Sequence, residues 1–90
     1  MIEAWKGLNK LQEELNELGA ELARLASFPA GPHPDGQGPV IKRVIEELAD
    51  VKAALSYFVS VNGVVENTQR EREKLDLFWE FDLPGVWHHE

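Results

Sequence analysis

The stretch LNKLQEELNELGAELARL, residues 8–25, places leucine at alternating steps of three and four residues. This spacing keeps the leucines on one face of an α-helix. A second stretch, VIKRVIEELADVKAALSYF at residues 40–58, repeats the rhythm with isoleucine, valine, leucine and phenylalanine. The two stripes predict an all-α protein in which two long helices pack through their apolar faces.

One acidic pattern accompanies both stripes. It reads EELNEL at residues 13–18 and EELADV at residues 46–51. When the apolar positions are assigned to a and d of a heptad, Glu14 and Glu47 occupy position g, while Glu17 and Asp50 occupy position c. These positions flank the apolar seam, so packing the two helices is expected to bring four carboxylates together.

The rest of the chain divides into a loop, a third helix and a tail. Helix 1 is expected at about 3–26, helix 2 at about 40–61 and helix 3 at about 64–80. A loop at 27–39 contains four prolines and three glycines, and an irregular tail covers 81–90. We expect one domain, residues 1–90, forming an antiparallel helical bundle with three main helices. Because a chain this short buries little surface alone, oligomerisation is expected to complete the bundle.

Composition excludes several classes of protein. Sixteen acidic and nine basic residues give a net charge of -7, which disfavours binding to a phosphate backbone and argues against a nucleic-acid partner. The absence of cysteine excludes disulfides, thiolate metal sites and a thiol nucleophile. The sequence shows neither a secretion signal nor an apolar run approaching the roughly 18 residues of a membrane span. A soluble, cytoplasmic protein without a membrane partner is therefore expected.

The acidic pattern has two interpretations. A single Glu-Glu-x-x-Glu motif is usually the solvated face of an amphipathic helix. Two copies brought together repel one another, and such a cluster favours a compensating cation. Oxygen ligands suit Mg2+ or Mn2+. A di-iron bundle would carry Glu-x-x-His, but Glu17 and Asp50 stand where histidine would be needed.

These residues resemble the MazG-like all-alpha nucleoside triphosphate pyrophosphohydrolases. The family hallmark, Glu-Glu-x-x-Glu followed by Glu-x-x-Asp, is similar to Glu13, Glu14 and Glu17 with Glu47 and Asp50. The resemblance covers about residues 5–80. It implies that these five residues form the catalytic centre, in which Glu14, Glu17, Glu47 and Asp50 bind Mg2+, with Mn2+ as a substitute. Glu13 would be a neighbouring acid that orients the site or a water.

The resemblance also implies a reaction and an assembly. The reaction is cleavage between the alpha and beta phosphates of a (deoxy)nucleoside triphosphate, which gives a monophosphate and pyrophosphate. The assembly is a homodimer or a homotetramer. The proline- and glycine-rich loop makes the connection between the two motifs long for this family, which leaves the choice of substrate open.

Basic residues are expected to contact the phosphates. The family's use of basic side chains near the second motif and on the next helix selects Arg43, Arg70 and Lys74. Pairing with surface carboxylates is the alternative, since Glu66 and Arg70 have the favourable four-residue spacing. His33 in the loop is interpreted as an exposed residue, and His88-His89 as a feature of the tail.

Two other functions remain open. The first is a non-catalytic helical interaction module whose acidic flanks serve solubility or a basic partner. The second keeps the superfamily but changes the substrate to a phosphoribosyl-nucleotide.

Overall fold

The computed structural model describes residues 4–82, and every regular element among them is a helix. The helices are α1 (Leu8–Ser27), α2 (Val40–Asn62) and α3 (Thr68–Asp82). Over residues 4–82 the expected all-helical fold with three helices is confirmed, and it is consistent with a helical bundle. None of the helices among residues 4–82 combines the length and apolar composition that crossing a lipid bilayer requires.

Helix α1 begins five residues later than expected because of Gly7. This glycine has φ 78°, in the left-handed region, and residues 4–7 form a bend and a turn. A side chain at Gly7 would also meet Tyr57, since an added Cβ would lie 2.8 Å from the ring Cδ2 atom. At the other end of α1, the N–H of Phe28 donates to the carbonyl of Arg24.

Helix α2 has the boundaries that its flanking residues predict. Pro39 precedes it in an extended conformation, and Gly63 follows it with φ 63°, which suits a left-handed helix cap. Asn62, the last residue of α2, connects the end of this helix to Lys6, which lies just before the start of α1. The N–H of Lys6 donates to its Oδ1 at 3.1 Å, and its Nδ2 donates to the carbonyls of Lys6 and Phe58, both at 2.8 Å.

Helices α1 and α2 pack against each other as an antiparallel hairpin. Asn62 and Lys6 meet at one end, while the N–H of Val40 donates to the carbonyl of Gly31 at the other. Only Val40, Val44 and Ala54 are buried apolar side chains among residues 4–82. The remaining apolar stripe is partly exposed, including Leu15, Leu22, Ile45, Leu48 and Leu55. The hairpin therefore has a small core and a large apolar surface.

Helix α3 projects away from the hairpin. In the described part of the chain, none of its Cα atoms lies within 8 Å of a Cα atom of α1 or α2. It begins at Thr68 rather than at about 64 because Asn67 caps it, accepting at Oδ1 a hydrogen bond from the N–H of Arg70 at 3.0 Å. The helix extends through Phe81 and Asp82, which the sequence assigned to the tail. The rest of that tail, 83–90 with His88 and His89, lies outside the described residues.

Candidate metal centre

Five carboxylates from α1 and α2 form one continuous cluster. Glu14, Glu47 and Asp50 each offer an oxygen within 4.8 Å of the others, and Glu13, Glu14 and Glu17 do the same. Glu14 belongs to both groups and joins them. The structure thus brings together all five residues that the sequence selected as catalytic. We call them the acidic cluster.

The cluster arises because both helices present their acids beside the apolar seam. Glu14 and Glu17 are three residues apart on α1, as are Glu47 and Asp50 on α2, so each pair shares a helix face. Glu14 is buried at 7% exposure, which is unusual for a carboxylate without a strong partner. Packing α1 on α2 buries Glu14 and partly buries Glu47, while Glu17 and Asp50 stay exposed, and it brings the four carboxylates near one another.

Burial and mutual repulsion shift the titration of two members of the cluster. The pKa of Glu14 is raised, first by burial and then by the charge of Glu17, with Asp50 and Glu13 adding smaller contributions. The pKa of Glu47 is also raised, again first by burial and then by the neighbouring carboxylates. Both shifts disfavour the charged carboxylate. A cation bound among these groups would reverse that preference.

Glu47 carries an oxygen atom that suits a metal. Its Oε2 atom is buried and has no hydrogen-bond partner. A buried polar atom without a partner costs free energy unless something binds it. The ligands offered by the acidic cluster are all carboxylate oxygens, the donor set that Mg2+ and Mn2+ prefer. The residues present therefore fit a hard divalent cation.

Lys10 is a member of the site that the sequence analysis missed. Its ammonium Nζ lies 3.2 Å from Glu13 Oε1 and 3.8 Å from Glu14 Oε1. Its pKa is raised, first by the hydrogen bond to Glu13 and then by the charges of Glu13 and Glu14. A cavity of about 410 Å³ opens beside it, lined by Lys10, Glu14, Asp50, Ala53 and Ala54. The sequence signal for this role was the position of Lys10, three residues before Glu13 and four before Glu14.

The basic residues expected at the phosphates lie elsewhere within this chain. Arg43 donates to Glu46 Oε1 at 3.0 Å and to Asp35 Oδ2, so its guanidinium is held by the loop and not by the acidic cluster. Arg70 and Lys74 lie on α3, which does not approach the hairpin in the described residues. The structure does not bring these three cations to the carboxylates within one chain.

The loop between α1 and α2 is ordered around His33. The expectation that this histidine is exposed is wrong, because it is only 9% exposed. Its Nε2 lies 2.9 Å from Glu21 Oε1 and 2.9 Å from Arg24, while its Nδ1 accepts the N–H of Asp35 at 3.0 Å. Glu21 is itself buried, so imidazole and carboxylate satisfy each other. We call Glu21, Arg24, His33, Asp35 and Arg43 the loop network.

Asp35 links the loop to α2. Its pKa is lowered, first by the hydrogen bond from Arg43 and then by the backbone N–H of Gln37. A second cavity, of about 390 Å³, lies here between the loop and the start of α2, lined by His33, Asp35, Gln37, Pro39, Lys42, Arg43 and Glu46. Because Arg43 is already paired with two carboxylates, this cavity is not simply a cationic pocket.

Comparison of the chain with protein-family models, with curated proteins and with solved structures found no match. The site must therefore be interpreted from its own geometry and chemistry.

Proposed function

We propose that this protein is a Mg2+-dependent nucleoside triphosphate pyrophosphohydrolase of the MazG-like type. It would cleave the bond between the alpha and beta phosphates of a (deoxy)nucleoside triphosphate, releasing a monophosphate and pyrophosphate. The observation that carries the proposal is the meeting of two acidic motifs, from α1 and α2, around the unpartnered Oε2 of Glu47. Mn2+ would substitute for Mg2+.

Each acidic residue has a role in this proposal. Glu14, Glu17, Glu47 and Asp50 bind the cation, and Glu13 orients the site or a water molecule. A bound Mg2+ neutralises phosphate oxygens and lowers the pKa of an attacking water. The hairpin supplies the positioning, since α1 and α2 hold carboxylates from two separate segments within 4.8 Å of one another.

The proposal includes a homodimer or a homotetramer. Within residues 4–82 the chain buries few apolar side chains, and Leu75, Phe78 and Trp79 on α3 are each more than half exposed. Packing α3 against another copy would bury this surface and contribute favourable free energy. Such an assembly is also the means by which Arg70 and Lys74 would reach phosphates in this proposal. Arg43 is proposed to contact the phosphates as well, and its guanidinium also pairs with Asp35 and Glu46 in this structure.

The decisive experiment measures pyrophosphate release from a panel of nucleoside triphosphates, with Mg2+ and with EDTA. Glu47→Gln and Asp50→Asn should each lower kcat/KM by on the order of 100-fold or more, because each removes a charged ligand of the metal. Glu66→Gln removes the same charge from an exposed acid between α2 and α3, outside the acidic cluster, and should leave turnover unchanged. Wild-type turnover in Glu47→Gln would contradict the proposal. Adding a phosphoribosyl-nucleotide to the panel tests the related substrate class.

One observation favours a second function, a non-catalytic helical interaction module. The apolar residues of α3 are exposed, and an exposed apolar surface of this kind is typical of protein-protein contacts. This alternative predicts neither metal binding nor pyrophosphate release. The same panel therefore separates the two functions.

A further inference from the structure

Lys10 combines two properties that set it apart from the other basic residues. Its ammonium forms ion pairs with Glu13 and Glu14, and it lines the 410 Å³ cavity beside the acidic cluster. Among the ion pairs of the described residues, those of Lys10 are the ones that reach this cluster from a basic side chain. A positive charge therefore already faces the space beside the proposed metal ligands.

The walls of that cavity are chemically mixed. Glu14 and Asp50, both proposed metal ligands, share it with Lys10, while Ala53 and Ala54 leave room on the side of α2. A group bound there would contact the carboxylate side and the ammonium together. Carboxylates with their cation, next to an ammonium, form a suitable environment for a metal-bound phosphate, because phosphate oxygens interact with both positive charges.

We propose that Lys10 is a substrate-binding residue whose ammonium donates hydrogen bonds to phosphate oxygens of the metal-bound polyphosphate. This inference rests on the proposed function. Without substrate the ammonium pairs with Glu13 and Glu14, where it partly balances the charge of the acidic cluster. Lys10 thus has two alternative sets of partners, the glutamates of its own helix and the phosphates of the substrate.

This exchange of partners gives Lys10 opposite effects on two ligands. Toward a free divalent cation the ammonium is a competitor, since both are attracted to the same carboxylates. Toward a phosphate held by that cation it is an additional donor. An ordinary pair on the surface of a helix has no such double effect, because it acts only on the stability of α1.

The experiment is calorimetric titration of the full chain, first with Mn2+ alone and then with inorganic pyrophosphate at saturating Mg2+. Lys10→Gln is expected to bind Mn2+ as tightly as the wild type or more tightly. The same variant should bind pyrophosphate with a Kd raised on the order of 10-fold, as expected for the loss of a charge-assisted hydrogen bond. Lys10→Arg, which keeps the charge, should recover most of that affinity.

The matched control is Lys52→Gln. Like Lys10, Lys52 is exposed, but it lies on α2 and lines a different cavity with Leu55, Ser56 and Glu66. Its substitution changes the net charge equally and should move neither titration. Circular dichroism on all variants establishes that the helices are retained.

Three results would overturn the inference, and they are distinguishable. Equal pyrophosphate affinity in Lys10→Gln and the wild type, with Mn2+ binding intact, refutes the role of Lys10 and leaves the metal site standing. Equal weakening of both ligands shows that Lys10 only supports the local structure. Failure of the wild type to bind Mn2+ refutes the proposed function itself, and the role of Lys10 with it.

Discussion

Glu14 on α1 and Glu47 on α2 present carboxylate oxygens within 4.8 Å of each other, although they come from separate acidic motifs. Burial and the surrounding acids raise the pKa of both. Like charges this close oppose the packing of the two helices that carry them. The hairpin thus holds together a group of side chains that would be more stable around a cation.

Metal binding should stabilise the fold. A ligand that binds only the folded chain, at ~100 times its Kd, adds about 2.7 kcal/mol to the free energy of unfolding. We expect Mg2+ or Mn2+ to raise the unfolding midpoint measured against EDTA, by differential scanning calorimetry. Glu47→Gln should abolish the increase, whereas Glu66→Gln, an exposed acid outside the cluster, should keep it. A wild-type unfolding midpoint that neither metal raises above its value in EDTA would argue against the metal centre.

The pH dependence of the metal-free protein follows from the raised pKa values of Glu14 and Glu47. In the folded state these groups keep protons that the unfolded chain, with ordinary values near 4.5, has released. Their contribution to stability is therefore complete below that value and is lost as pH rises through the raised pKa values. In EDTA, the unfolding midpoint should fall as pH rises through the raised pKa values of these two groups.

A variant isolates this contribution. Glu14→Gln combined with Glu47→Gln should make the pH profile flatter than that of the wild type, because neither group then titrates. The other ionisable residues remain in both chains, so the comparison isolates Glu14 and Glu47. Parallel profiles for the two proteins would show that the cluster does not govern the pH dependence. Saturating Mg2+ should oppose the decline in the wild type, since the metal binds the deprotonated carboxylates.

Loss of His33 should destabilise the hairpin. His33→Ala leaves Oε1 of the buried Glu21 without its imidazole partner, while Arg24 still donates to Oε2, and it frees the N–H of Asp35. Leaving a buried polar group unsatisfied costs about 1–3 kcal/mol. Urea unfolding at fixed protein concentration, in EDTA, measures the loss. Gln37→Ala is the control in the same loop. Gln37 is exposed and makes its hydrogen bonds to Asp35 and Lys42 through its backbone, which the substitution keeps, so the variant should be close to neutral. Equal stability of the two variants would mean that the loop network contributes nothing to folding.

The stability of the protein should depend on self-association through the exposed apolar face of α3. Phe78 is 60% exposed, and α3 makes no approach to the hairpin in the described part of the chain. Phe78→Ser should therefore cost little in an isolated chain but weaken a homo-oligomer. We expect the wild-type unfolding midpoint to rise with protein concentration, and the variant to lose that dependence. Light scattering that finds wild-type monomers at micromolar concentration would contradict this.

The sequence predicts the hairpin well because its signals are local. The apolar stripes give α1 and α2, and Pro39 and Gly63 mark the limits of α2. The heptad positions of the acids also predict that they meet, since Glu14 and Asp50 flank the same seam. Periodicity within each helix was enough for these inferences.

The remaining features depend on contacts between distant residues. Helix α1 begins only after Gly7, at a position where Tyr57 on the opposite helix leaves no room for a side chain. His33 is buried because Glu21 receives it across the end of the hairpin. Neither contact leaves a local pattern in the sequence. The start of α3 is different, because Asn67 is a helix-capping residue type that the sequence shows directly. The apolar Val64 and Val65 led to a predicted start that was too early.

The acidic cluster lies between two hydrogen-bonded contacts. Asn62 bonds to Lys6 at one end of the hairpin, and His33 bonds to Glu21 at the other. Sliding α1 along α2 by a single residue would shift its acids by ~1.5 Å and turn them by about 100°. Such a slip would separate Glu14 from Asp50. These two contacts therefore fix the axial register of α1 on α2 against the repulsion among the carboxylates between them. Residues that carry no charge chemistry themselves, such as Asn62, thereby set the distance between the carboxylates.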